Sequence, residues 1–414
     1  MPAPRHYIRE LLILLAVLCL ITGPGYAQSF QFEDNRNRHT IAFRMVKNLI
    51  VVPITLNGKG PFNFLLDTGI GVCLITNPSL IDTLHLRGLR QMKITGFGQG
   101  DELSASVASG ITLRLGRTVA HSMNVIILNE DLLELSETLG MPIHGLIGYD
   151  FFDSFLVEIK YSSHRIILRR FSSGYVPEKS TAVAISIEEK KPYIESTVKL
   201  DGKVYNGLKM IVDTGAGHSV SLETYDDKPF DIPQKNIQAN LGVGLLGPIH
   251  GYIGRIQSIQ VGSYTMNNVV SSFPEFREVI KRSGFPDRHG NLGNPILKRF
   301  RVTFDYSRKM MYLRPAHSFN EPFEHDMSGL ELITKAPGFK RILVNRVELN
   351  SAADSAGLRV ADEIISINFR LVREISMEEI NSMFSSRAGK TFILYVINTE
   401  GDRRFVFLKL RRRI

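Results

Sequence analysis

Residues 64–72 read Phe-Leu-Leu-Asp-Thr-Gly-Ile-Gly-Val, FLLDTGIGV in one-letter code. An acid closes an apolar run at the mouth of a glycine-rich turn. Asp and Gly are common turn formers, so a surface turn would explain the stretch by itself. A second stretch changes that reading. Residues 210–218 read MIVDTGAGH, with Asp213-Thr214-Gly215 after another apolar run.

The spacing joins the two. Asp67 and Asp213 are 146 residues apart, and His144-Gly145-Leu146-Ile147-Gly148 stands 145 before His289-Gly290-Asn291-Leu292-Gly293. The tails keep register: Phe155 with Phe300, Val157 with Val302, Tyr161 with Tyr306, Leu168 with Leu313. Matches this long and this ordered mean two copies of one unit, roughly 41–171 and 182–315. Each copy opens with an apolar strand, Val51–Leu56 or Tyr193–Leu200, that turns at Asn57-Gly58 or Asp201-Gly202. Both dipeptides favour a tight hairpin. Two β units related by a twofold bring equivalent loops to the axis. The repeat therefore makes Asp67 and Asp213 a candidate pair.

The rest of the chain frames this core. Its 414 residues are 43% hydrophobic and 22% charged with 34 glycines, which fits two or three globular domains rich in turns. Short β-rich runs dominate over helical periodicity, so a mainly β fold is expected. Residues 1–27 have the pattern of a signal peptide: Arg5 and Arg9, an apolar Leu11–Ile21, then Gly25-Tyr26-Ala27 as a small-residue cleavage site. The apolar run is too short for a membrane span. Cys19 lacks a good lipobox before it, so cleavage near Ala27 and export to a bacterial periplasm or beyond are expected. Cys73 then stands alone, which leaves stability to core packing. Its flanks, Val72, Leu74 and Ile75, favour an inert core thiol over a nucleophile. Net charge is +9, with the basic residues dispersed apart from Arg411-Arg412-Arg413, which is expected to be solvated. No basic and aromatic interleaving marks a nucleic-acid surface.

The two Asp-Thr-Gly segments and their downstream apolar-Gly segments resemble aspartic peptidases. The size of each half is closer to the retropepsin-like type than to larger lobes. The resemblance spans about 40–316. It implies two acid-protease β-barrel halves about a pseudo-twofold, with Asp67 and Asp213 as catalytic residues. Two facing carboxyls cannot both ionise cheaply, so one keeps its proton; aspartic proteases are the standard example of this effect. The ionised member activates water as general base, and the protonated member donates to the scissile carbonyl. The resemblance gives Thr68 and Thr214 the role of bonding across the axis. Gly69 and Gly215 allow close backbone approach. Thr95–Gly100 and Leu241–Gly247 would be flap-like hairpins. Ile70 departs from the small residue the family usually has there, which crowds the space beside the acid. Asn291, opposite Leu146 of the first copy, is a milder departure. No cofactor is implied, and with both acids in one chain dimerisation is not required.

Two further patterns are set aside. Gly242–Gly247 spells GxGxxG, but Pro248 and Gly251 follow where a dinucleotide site needs a helix. His144 and His289 are equivalent, yet lack further ligands at metal spacing, and each abuts a glycine turn.

After a polar stretch at 318–327, the character changes. Gly329-Leu330-Glu331-Leu332, Asn350–Leu358 and Ala361–Asn368 resemble a PDZ domain, with Ser376–Ser386 as its main helix and Thr391–Ile397 and Arg404–Leu410 as closing strands. Such domains add a peptide to a sheet edge. The resemblance makes Gly329, Leu330, Glu331 and Leu332 the peptide-binding loop and strand. Glu331 stands where the family prefers glycine. The expected divisions are a signal peptide at 1–27, halves at 28–177 and 178–317, a linker at 318–327 and a PDZ domain at 328–414. The expected function is an exported aspartic endopeptidase acting on peptides or proteins, with the PDZ module binding a peptide or partner. The alternatives are a catalytically weak peptide-binding protein and a scaffold.

Overall fold

The computed structural model describes residues 29–94, 103–244, 247–275 and 288–414. The leader at 1–27 and the first glycine-rich stretch, Thr95–Gly100, lie outside the described residues, as do two residues of the second. The protein is mainly β, as its sequence implies. Both predicted hairpins form: Leu49–Leu56 pairs with Lys59–Leu66, and Lys191–Leu200 with Lys203–Asp213. Asn57-Gly58 (φ 48° and 77°) and Asp201-Gly202 (φ 45° and 81°) turn them with both central residues left-handed. That geometry matches the twist of the flanking strands.

The two copies share one strand order. In the first, Leu49–Leu56, Lys59–Leu66, Gly145–Ile147, Cys73–Ile75 and Thr118–Leu128 lie side by side. In the second the order is Lys191–Leu200, Lys203–Asp213, Gly290–Gly293, Val220–Leu222 and Tyr264–Pro274. The strands leading to each acid are apolar because both their faces are covered: Phe64, Leu66, Met210 and Val212 are 0% exposed on one face, and Leu65 and Ile211 are buried on the other. Burying one such side chain is worth about 1.5–3 kcal/mol.

A six-stranded sheet joins the halves. At its centre Leu156–Lys160 runs antiparallel to Phe300–Asp305, with Val157 opposite Phe304 and Ile159 opposite Val302. Since Val157 is the equivalent of Val302 and Ile159 of Phe304, each residue faces the counterpart of the other. This is the register of a twofold axis.

The C-terminal unit is a separate five-strand path with its own apolar core, including Ile364, Phe392, Leu394 and Leu408. Its helix, Met377–Phe384, starts at Ser376, whose hydroxyl caps Glu379 N–H at 3.1 Å. One expectation is sharpened here and one corrected. The 318–327 linker does not hang free. Its carbonyls at Ser318, Phe319, Glu321 and Pro322 gather on the Arg299 guanidinium, which stacks 3.5 Å over Phe323. Nor are the terminal arginines simply solvated: Arg412 pairs with Glu324, Arg413 with Glu348, and Ile414 is buried. Carbonyl and carboxylate acceptors within reach hold these guanidinium groups, although Arg412 stays about half exposed. Among the described residues no helix is long and apolar enough to cross a membrane.

Candidate active site

Each acid sits where a buried strand ends and the chain turns on glycine. Asp67 N–H donates to Ile147 O at 2.8 Å, which ties the first loop to the apolar-Gly segment behind it. Within the loops, Gly69 N–H donates to Asp67 Oδ1 at 2.7 Å and Gly215 N–H to Asp213 Oδ1 at 2.8 Å. The glycines face the opposite acid. A Cβ on Gly69 would stand 2.9 Å from the Asp213 carboxyl carbon, and one on Gly215 would overlap the Asp67 carboxyl. The two carboxyls are in hydrogen-bonding contact with each other.

The threonines lock this approach. Thr68 Oγ1 donates to Val212 O at 2.7 Å and accepts from Thr214 N–H at 2.9 Å. Thr214 Oγ1 donates to Leu66 O at 2.8 Å and accepts from Thr68 N–H at 3.0 Å. Both side chains are 0% exposed. Each hydroxyl therefore satisfies two backbone groups of the opposite loop that would otherwise be buried without partners.

Electrostatics follow from the burial. The Asp67 carboxyl is held well above the usual carboxylate range, first by burial, then by the Asp213 charge and their mutual hydrogen bond. Gly69 N–H and Lys191 oppose this. Burial pushes the Lys191 ammonium down, and Arg288 adds to that, while Glu189, Asp213 and Asp67 pull it back. Around Asp213 the shell is polar: Asn291 Nδ2 donates to its Oδ2 at 2.7 Å. Arg288, buried nearby, is held by both carboxylate oxygens of Glu223 at 3.0 and 3.1 Å.

Other sequence-marked residues find structural places. His144 Nδ1 accepts Asn63 N–H at 3.2 Å, and His289 Nδ1 accepts Lys209 N–H at 3.0 Å, so both imidazoles close the strand that carries the acid. Among the described residues no group of three or more His, Cys, Asp or Glu is placed to hold a metal. Ile70 packs with Leu146 against the buried Leu74, Ala105, Leu128 and Leu133. Its bulk goes into the first lobe's apolar cluster. Cys73 is buried, with its thiol pushed up to about 12 by burial and the nearby Asp150. The strands Asn236–Gly244 and Gly247–Val261 pair, with Gly244 opposite Gly247, so a strand follows the GxGxxG stretch where a dinucleotide site needs a helix.

The C-terminal residues are placed differently. Leu330–Lys335 is an edge strand, and Gly329 has φ +76°. Asp326 Oδ1 already accepts from Ser328 N–H, Ser328 Oγ and Gly329 N–H at 2.7–3.0 Å, and Leu330 N–H donates to Ser328 Oγ at 3.0 Å. Glu331 accepts from Asn345 and lies 3.7 Å from Arg346. The edge itself is fronted by the first half. Thr334 Oγ1 donates to Glu137 O at 2.9 Å, Lys335 pairs with Glu137, and Lys47 Nζ donates to Leu332 O at 3.4 Å. A cavity of about 370 Å³ remains between Met45, Val46, Met141, Ile342, Ile375 and Met377.

Sequence reasoning missed several of these residues. Asn294 is fully buried and bridges the lobes, donating to Thr214 O at 2.5 Å and accepting from Tyr161 Oη at 2.7 Å. A polar residue just after an apolar-Gly segment was its only signal. Lys191, Arg288 and His218 gave none.

Two β lobes about a twofold thus bring a pair of aspartates together at their junction. Residues 52–151 match the family model for aspartyl proteases, which supports a peptidase. Similar solved structures include the photosystem II D1 C-terminal processing protease, at 19% identity and TM-score 0.20, covering 22% of this chain and 23% of that one. Another is the aspartic proteinase from Irpex lacteus, at 12% identity and TM-score 0.40, covering 69% of this chain and 98% of that one. The chain thus spans less than a quarter of the first of these. No curated protein matches the chain.

Proposed function

We propose that this chain is an aspartic endopeptidase that hydrolyses peptide bonds between Asp67 and Asp213. The observation that carries the reading is the pair itself: two carboxyls in contact at a twofold, held by reciprocal threonine bonds. One carboxylate takes a proton from water as it attacks. The other, protonated, donates to the carbonyl oxygen as charge develops there. The apolar leader and its cleavage site support export.

For the C-terminal unit the reading is a brace on the peptidase in preference to a receptor for free C-termini. The loop N–H groups of Ser328, Gly329 and Leu330 already have internal acceptors, and the edge strand faces Glu137 and Lys47.

Cleavage of an unbiased peptide library by the chain lacking residues 1–27, over pH 3–8, tests the peptidase reading. Activity on the acid side, lost in both Asp67→Asn and Asp213→Asn, is expected. If both variants cleave like the wild type, the pair is not the catalytic centre.

A further inference from the structure

The two halves match in backbone but not in what surrounds each acid. Asp67 Oδ1 accepts from the Gly69 N–H of its own loop. Asp213 accepts the equivalent Gly215 N–H and also the Asn291 amide. Position 146, the counterpart of 291, is Leu, which has no donor.

The second acid loop is also longer. The strand after the first loop begins at Cys73, six residues past Asp67; after the second it begins at Val220, seven past Asp213. The Gly145–Ile147 and Gly290–Gly293 strands still meet equivalent partners, Ile75 and Leu222. The extra residue falls between Gly217 and Val220, and this stretch carries His218 beside Asn291. His218 Nε2 and Asn291 Oδ1 are both buried, and neither has a hydrogen-bond partner. The Asn291 NH₂ is committed to Asp213, so its oxygen can only accept. Burial holds the imidazole below its usual range, and a ring carrying its proton at Nε2 would offer the Asn291 oxygen the donor it lacks.

We propose that Asn291 and His218 are positioning residues that break the symmetry of the pair, keeping the charge on Asp213 and the shared proton on Asp67. Asp213 is then the general base and Asp67 the acid. The catalytic consequence rests on the peptidase reading; the proton assignment does not.

The other ionisable groups facing the pair leave this direction unopposed. Lys191 acts on both acids and does not choose between them. Arg288, held by Glu223, acts on Asp213. Tyr306 lies toward Asp67 as a buried neutral phenol. A carboxylate that accepts more N–H donors is the more easily ionised.

The test is ¹³Cγ-aspartate NMR titration of the chain lacking residues 1–27, with the two signals assigned through Asp67→Asn and Asp213→Asn. The Asp213 signal is expected to titrate at the lower pH. Asn291→Leu should raise that midpoint by about one pH unit, a tenfold change in ionisation constant. His218→Val should raise it by about half as much, and the double variant no further than Asn291→Leu alone. Asn291→Ser retains a donor and should restore most of the shift; with His218→Val it carries the test if Asn291→Leu does not fold. Asp67 titrating first, or midpoints unmoved within about 0.2 units in the variants, overturns the assignment. Cleavage measured in parallel separates the two claims. If Asp213 titrates first but no peptide is cut, the peptidase reading falls and the assignment stands. If Asp-dependent cleavage occurs with the order reversed, only the assignment falls.

Discussion

Replacing Thr214 with valine isolates the contribution of one strut. Valine keeps the shape of threonine, so no cavity opens, and only the hydroxyl is lost. Two backbone groups lose their partners, Leu66 O and Thr68 N–H, bonded at 2.8 and 3.0 Å. Both lie at a site where the threonines are 0% exposed, so water does not readily replace the hydroxyl. An orphaned buried group costs about 1–3 kcal/mol, which puts the Thr214→Val penalty at about 2–6 kcal/mol. Thr68→Val orphans Val212 O and Thr214 N–H, the mirror pair, so its cost should match within about 1 kcal/mol. Thr214→Ser keeps the hydroxyl and should lose only about 1 kcal/mol for a methyl group. Urea unfolding followed by circular dichroism measures these differences, since the chain has no Trp for fluorescence. Both valine variants within about 0.5 kcal/mol of wild type would refute the argument that the threonines hold the loops together.

Other perturbations probe other parts. Gly215→Ala would press its methyl into the Asp67 carboxyl, and kcat/KM should drop by about 100-fold or more with the fold retained; unchanged turnover would show that the acids do not meet as described. The Cys73 thiol, pushed up to about 12, should resist aromatic disulfide reagents at pH 8 in the native protein and react once urea unfolds it. Burial raises the Asp326 carboxyl to about 6. The folded state therefore holds a proton that the unfolded state has released, and stability falls as pH rises from about 4 to 6, by about 2 kcal/mol. Asp326→Asn, whose amide oxygen still accepts the loop N–H groups, should flatten that part of the urea-melt pH profile; an identical profile counts against the burial argument. Glu378→Ala removes the acceptor of Lys47 N–H at 2.5 Å, and should speed limited proteolysis between the C-terminal unit and the lobes while leaving each unit's own melting in place.

Much of this was legible because the repeat carries it. The Asn-Gly and Asp-Gly turns and the strands before each acid follow from local chemistry applied twice, while the crossing threonines came from the family resemblance. What stayed hidden depends on contacts between residues far apart in the chain. Asn291 looked like a mild departure from Leu146; its significance lies in Asp213, 78 residues away. Arg299 and the 318–327 carbonyls gave no pattern either, because a polar stretch that wraps a guanidinium reads the same as one that is solvated. Ile70 raised a concern about space that side-chain direction removes, and direction is not encoded in residue type.

The twofold also explains where the C-terminal unit acts. Each lobe has a left-handed two-residue turn ahead of its first long strand, Lys47-Asn48 (φ 45° and 67°) and Glu189-Lys190 (φ 46° and 62°). Each crosses to the other lobe's acid loop. A Cβ on Gly217 would stand 3.2 Å from Lys47 O, and one on Gly71 would stand 3.3 Å from Glu189 O. The symmetry ends there. Lys190 lies 3.8 Å from Asp150 and 5.4 Å from the centre of the Tyr149 ring, both in the first lobe. Lys47 is instead taken by the C-terminal unit, through Glu378 and Leu332 O, while Asn48 bonds Gly217 O at 3.3 Å and accepts from Lys298 at 2.7 Å. The unit therefore holds one of two equivalent turns, and it is the turn over the Asp213 loop. That is the same loop that carries the extra residue and His218. Two independent departures from symmetry, one in the loop itself and one in what packs on it, thus fall on the same acid.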